Sequence, residues 1–135
     1  MSYEFLDHTA DVKFRAEGAS LEEMFVSAAE AMAETVRGDI KILEQEDRSF
    51  EVEGKDDVGL LYNFLEEFLF LLDAEDFLVA GIKSIDIEDS KLKCVVVGDA
   101  AKNYKFTNDV KAVTYSDMFV KKEDNKFVCE VVLDV

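Results

Sequence analysis

Apolar positions recur at two different periods along the chain. Val12, Phe14 and Ala16 alternate with Lys13, Arg15 and Glu17, which predicts a half-buried strand over 11–17 after a shorter one over 3–7. Gly18 ends it. Ser20 and Glu23 form a capping-box pattern. Behind them Leu21, Met24, Phe25, Ala28, Met32 and Val36 fall at helical spacing, so a helix is predicted to about Val36, stopped near Gly38. Phe50 and Val52 alternate in a strand over 48–53. Asp56 can then cap a second helix, reaching about Asp73. Its stripe of Val58, Leu61, Leu65, Phe68 and Leu72 is widened by Leu60, Phe64 and Leu71. A stripe that wide implies burial on more than one side, or a partner surface.

From Phe77 the period becomes two, and strands are predicted over 82–88, 92–97, 110–121 and 127–134. Residues 88–91 and 122–126 read as hairpin turns. Strands before, between and after two helices predict an α+β class. The expected architecture is a single domain over 1–135, a mainly antiparallel β-sheet with two principal helices packed on one face. The last strand is apolar at every odd position and also at Val128 and Val132, the pattern of burial on both faces. It runs into Asp134 and the α-carboxylate of Val135. Negative groups at the end of a buried strand need donors or a cation.

Charge narrows the functional classes. The 135 residues carry a formal charge of −16. Residues 1–90 hold 24 acidic and 7 basic side chains, whereas 91–135 hold 7 and 8. Such a surface repels a phosphate backbone, so strong direct nucleic-acid binding is not expected. It can steer a basic protein or a metal cation. Two cysteines, an acidic start and no apolar run longer than 68–72 predict a soluble cytoplasmic protein without a membrane span.

Catalytic templates are missing. There is no Gly-rich phosphate loop and no G-x-S-x-G elbow, and His8 is the one histidine. Cys129 alternates with Phe127, Val131 and Leu133, which marks a buried structural thiol. His8, Cys94 and Cys129 cannot supply a usual zinc site. Asp7 and Asp11 bracket His8 between two predicted strands. They read either as turn caps or as part of an oxygen-rich cation site. Nothing in the pattern identifies a general base or a substrate pocket, so an enzyme is not expected.

Four segments together resemble the archease family: Tyr3-Glu-Phe-Leu-Asp-His-Thr-Ala-Asp-Val12, Ala19-Ser-Leu-Glu-Glu23, Asp109-Val-Lys-Ala-Val-Thr-Tyr115 and Val131-Val-Leu-Asp-Val135. The resemblance spans essentially the whole chain. It implies a small acidic α+β protein that acts as a non-catalytic cofactor of the RtcB-type RNA ligase. That ligase joins tRNA exon halves using GTP and Mn²⁺, and the cofactor promotes its guanylylation and multiple turnover. A chaperone-like modulator of RNA- or DNA-processing proteins is the alternative. The resemblance also implies a divalent-metal site at Asp11, Asp134 and Val135, the last through main-chain or terminal oxygens. These are hard donors, suited to Ca²⁺ first and also to Mg²⁺ or Mn²⁺. Where many relatives carry His after the Lys-Ala-Val-Thr-Tyr segment, this chain has Ser116.

Overall fold

The computed structural model describes residues 1–6, 11–106 and 110–135. The expected DHTAD turn, with Asp7 and His8, therefore lies mostly outside the described residues. Strands β1 (Ser2–Leu6) and β2 (Val12–Gly18) pair antiparallel, with Phe5 opposite Phe14. Helix α1 follows (Leu21–Arg37). Ser20 Oγ accepts from the Glu23 N–H at 3.1 Å, and Gly38 takes up a φ of 70° at the C-terminal end. These are the start and stop that the sequence predicts.

Strand β3 (Glu46–Glu53) leads to helix α2 (Asp57–Glu75), whose first turn is capped by Asp56 Oδ1 accepting from the Gly59 N–H at 2.8 Å. Then come β4 (Phe77–Glu88), β5 (Lys91–Ala100), a short 3₁₀ turn at Ala101–Asn103, β6 (Ala112–Glu123) and β7 (Lys126–Asp134). Both predicted hairpins are present. Asp89 and Ser90 turn the first, with φ of 52° and 60°. Asp124 and Asn125 turn the second, with φ of 51° and 64°. Two successive positive φ values give the turn whose twist matches that of the flanking strands.

The α+β class, the antiparallel pairing and the two helices are as expected. The strands, however, are shared between two sheets, one ordered β1-β2-β7-β6 and the other β3-β5-β4. Helix α1 packs on β2 and reaches β4, while α2 packs on β6 and on all three strands of the second sheet. Each sheet is thus covered on one face. This explains the width of the α2 stripe, because both flanks of the helix meet a sheet. Leu60, Leu61, Phe64 and Leu65 are wholly buried, and Leu71 nearly so. Phe64 lies 5.4 Å from Phe25 of α1, 6.0 Å from Phe50 of β3 and 5.3 Å from Phe68, between ring centres, and so joins the two helices to the second sheet.

Strand β4 starts five residues earlier than the period-two pattern predicts. Phe77, Leu78 and Val79 are all buried, so no alternation marks them. Strand β6 starts at Ala112 and carries a wide bulge. Thr114 faces Val132 and Phe119 faces Glu130, so residues 115–118 stand opposite Val131 alone.

Candidate metal centre and the uncovered face of the first sheet

Strand β7 runs through the middle of the first sheet and is buried on both sides. Cys129, Val131 and Leu133 face α1 with no exposed surface. Val128 and Val132 face away from the helices, yet they are only 2% and 1% exposed. No element covers that second face among the described residues. In register, Lys13 and Thr114 flank Val132, and Glu17 and Lys121 flank Val128.

At the centre of this face is Glu130, which sequence reasoning did not single out. Arg15 donates to its Oε2 through Nε and Nη2, at 3.0 and 2.6 Å. Lys13 Nζ lies 3.5 Å from its Oε1 and 3.9 Å from Asp117 in the β6 bulge. The hydrogen bond to Glu130, ahead of any other effect, raises the Arg15 guanidinium further above its ordinary range. The available signal was one acidic residue inside an apolar strand, with two basic residues alternating in the strand that pairs with it.

The candidate ligands lie at one end of the same face. Val12 faces Leu133 across β2 and β7, so the next register position sets Asp11 beside Asp134. On the other side Ala112 faces Asp134, and the Lys111 N–H donates to the Asp134 main-chain oxygen at 2.7 Å. Asp134 is exposed, Asp11 is half-buried, and Val135 is partly buried against the core. The fold therefore brings together the strand ends that carry the three residues. Among the described residues no group of three or more His, Cys, Asp and Glu is gathered closely enough to hold a metal. Any centre here would draw on two carboxylates and on main-chain oxygens. That donor set is all oxygen and fits a hard cation. Lys13, two residues from Asp11 on the same face, is engaged by Glu130 and Asp117.

Cys129 is buried as expected, and Cys94 is buried as well. Burial pushes the thiols of Cys94 and Cys129 up to about 12, which leaves them protonated and unreactive. The stripe residues Leu60, Phe64 and Leu71 are core and offer no open surface. No described helix is long and apolar enough to cross a membrane.

Two antiparallel sheets flanking a pair of helices define an α+β protein with mainly antiparallel pairing. The solution structure of protein 1598 from Methanobacterium thermoautotrophicum superposes with a TM-score of 0.81 at 36% identity, covering 98% of each chain. The crystal structure of an archease from Thermotoga maritima, described as a possible chaperone, shares the fold with a TM-score of 0.69 at 18% identity, covering 96% of this chain and 94% of that one. In sequence, the protein archease of Pyrobaculum neutrophilum is 36% identical over 139 residues, covering 98% of this chain and 95% of the relative. The Archease protein family (MTH1598/TM1083) matches residues 3–135, and the chain belongs to that family.

Proposed function

We propose that this protein is a non-catalytic cofactor of an RtcB-type RNA ligase, and that Asp11, Asp134 and Val135 hold a divalent cation at the surface it offers to that ligase. Family membership supports the first part. The single observation behind the second is the register that sets Asp11 beside Asp134 at the end of β2 and β7. Asp11 and Asp134 supply carboxylate oxygens and Val135 main-chain oxygens. A bound cation would supply positive charge at a carboxylate-rich strand end. Ca²⁺ suits such donors best among the common hard cations, because it tolerates irregular oxygen cages that Mg²⁺ does not.

The test is multiple-turnover RNA ligation by the cognate ligase with GTP and Mn²⁺. Wild-type protein should raise turnover, while Asp11→Ala and Asp134→Ala should lose most of that stimulation with unchanged folding. Stimulation that survives both substitutions would detach the function from this site. No stimulation by wild type would overturn the cofactor role. It would favour the chaperone-like alternative, which then predicts suppressed aggregation of unrelated clients at equimolar ratio.

A further inference from the structure

Among the described residues the two sheets end in four edge strands, β1, β6, β3 and β4. Three of them are blunted against further pairing. Strand β3 carries Glu46, Asp47, Arg48, Glu51 and Glu53 within eight residues. Strand β4 breaks register with β5 twice, between Val79 and Gly81 and between Ile82 and Ser84. Strand β6 has its bulge. Charges and bulges of this kind keep an edge from accepting another strand. Strand β1 has no such device. All five of its residues pair with β2 in unbroken register, and Glu4 is its one charged side chain. On its other side every second residue turns a main-chain N–H and C=O outward.

The side of β1 toward α1 is apolar and open. Phe5 is 45% exposed. It stands opposite Phe14, which is buried beneath α1, and the two rings meet edge to face with centres 6.5 Å apart. Tyr3 meets Phe5 in the same way at 5.7 Å. A cleft of about 360 Å³ runs past Phe5 and Leu6 to Glu34 and Thr35 of α1, and Asp11 of the candidate centre lines it too. Phe5 and Glu34 therefore share one cleft on the helix side of the sheet. Glu30 lies one turn before Glu34 on the same exposed face of α1. Burial first, and then Glu34 and Glu30, raise the Tyr3 phenol above its ordinary range, as acids beside that ring should. The nearby cations are engaged elsewhere. Arg37 donates to the carbonyls of Ile40 and Val79 at 2.7 and 3.2 Å, and Lys13, which also lines the cleft, lies with Glu130 and Asp117.

An extended segment laid along β1 meets all of these groups at once. Its main chain pairs with the outward N–H and C=O groups, an apolar side chain covers Phe5, and a Lys or Arg reaches Glu34 and Glu30. A second copy of the chain is a poor fit. Two β1 strands paired antiparallel about their centres set Glu4 opposite Glu4, and each chain carries a charge of −16. We infer that the β1 edge is a docking site for an extended segment of the protein partner, which adds one strand to the first sheet with an apolar residue against Phe5 and a basic residue beside Glu34. The identity of that partner rests on the ligase reading above. The site itself rests on the open edge, on Phe5 and on the acids beside it.

Residue-resolved amide hydrogen exchange of the full-length protein, alone and with the cognate ligase, tests this. Strand addition has a signature that side-chain docking lacks. The ligase should slow exchange roughly tenfold or more at alternate amides over 2–6, and leave the amides bonded to β2 little changed. Phe5→Lys removes the aromatic and puts a charge on the edge. It should weaken binding roughly tenfold in calorimetric titration and abolish the alternate protection. Glu34→Gln, on the exposed face of α1, reads the site without touching the strand. It should weaken binding less and reduce its salt dependence. Circular dichroism should show the fold intact in both. Ligase bound by wild type with exchange over 2–6 unchanged overturns this inference alone. Alternate protection that grows with the concentration of the protein itself, alongside a dimer in sedimentation, overturns it in favour of a second copy. No binding of the ligase by wild type overturns the ligase reading, and this inference with it.

Discussion

Arg15 holds Glu130 through two nitrogens on one carboxylate oxygen, at the middle of a sheet face that no helix covers among the described residues. The two partners are unequally buried, with side chains 36% and 11% exposed. Loss of Glu130 leaves Lys13 and Arg15 repelling each other over Val128 and Val132. Loss of Arg15 leaves Glu130 still compensated by Lys13. Glu130→Ala should therefore lower the denaturant midpoint more than Arg15→Ala does. Equal losses in chemical denaturation would show that the pair acts as an ordinary surface contact.

Strand β5 passes under the start of β4 at Gly98. A Cβ at that position would run into the Leu78 carbonyl oxygen, a backbone atom that cannot swing aside. Gly98→Ala should destabilise by about 2 kcal/mol or more, the overpacking range for a tight core. Gly81, in the neighbouring strand, has open space where its Cβ would be. Gly81→Ala should stay within roughly 0.5 kcal/mol of the parent, as surface substitutions usually do. Urea unfolding of the two variants side by side decides it, and a tolerated alanine at 98 would mean that the strands separate there at little cost.

Much of this architecture is legible in the sequence because local chemistry and burial agree. The Ser20 and Asp56 caps, the two hairpin turns and the doubly buried last strand each carry a residue-level signature that the structure repeats. The division into two sheets is not legible. Alternation reports that a strand has one buried face, but not which other strands share its sheet. The start of β4 is hidden for a related reason, since three consecutive buried residues erase the period. For the site, the pattern shows the strand ends at Asp11 and Asp134, but their convergence is implied by the archease resemblance and depends on the pairing of β2 with β7, which alternation does not encode. Glu130 depends on a contact with Arg15, 115 positions away, which no local pattern encodes.

Cys94 and Cys129 offer a check on the core itself. Burial lifts both thiols to about 12, far above the pH of a thiol assay. The native protein should release no chromophore from an aromatic disulfide reagent at pH 8, and the unfolded protein should release two equivalents, one for each cysteine. Rapid reaction of either thiol in the native state would show that the sheet opens locally.

Acid should act on the fold through Asp99. The Tyr104 hydroxyl donates to its Oδ2 at 2.8 Å and also accepts from the Leu43 N–H at 2.9 Å, tying the segment before β3 to the end of β5. The hydroxyl first, and then the Ala100 N–H and the Asn103 amide, hold the Asp99 carboxyl below its ordinary range against the opposing effect of burial. A folded-state value below the unfolded one, which is about 3.9, means that the ionised form favours the native state. That contribution is complete above about pH 4 to 5, and it disappears as pH falls through the lower, folded value. Asp99→Asn removes the titration. Its thermal midpoint should lie below wild type at neutral pH, and the gap should narrow as pH drops from 4 to 2. Tyr104→Phe should move the same way, since it removes the strongest donor to the carboxylate. A gap that stays constant across that range would place the acid sensitivity on other carboxylates, Glu17 and Glu123 first, whose carboxyls hydrogen bonds from Lys126 and Lys121 also hold low.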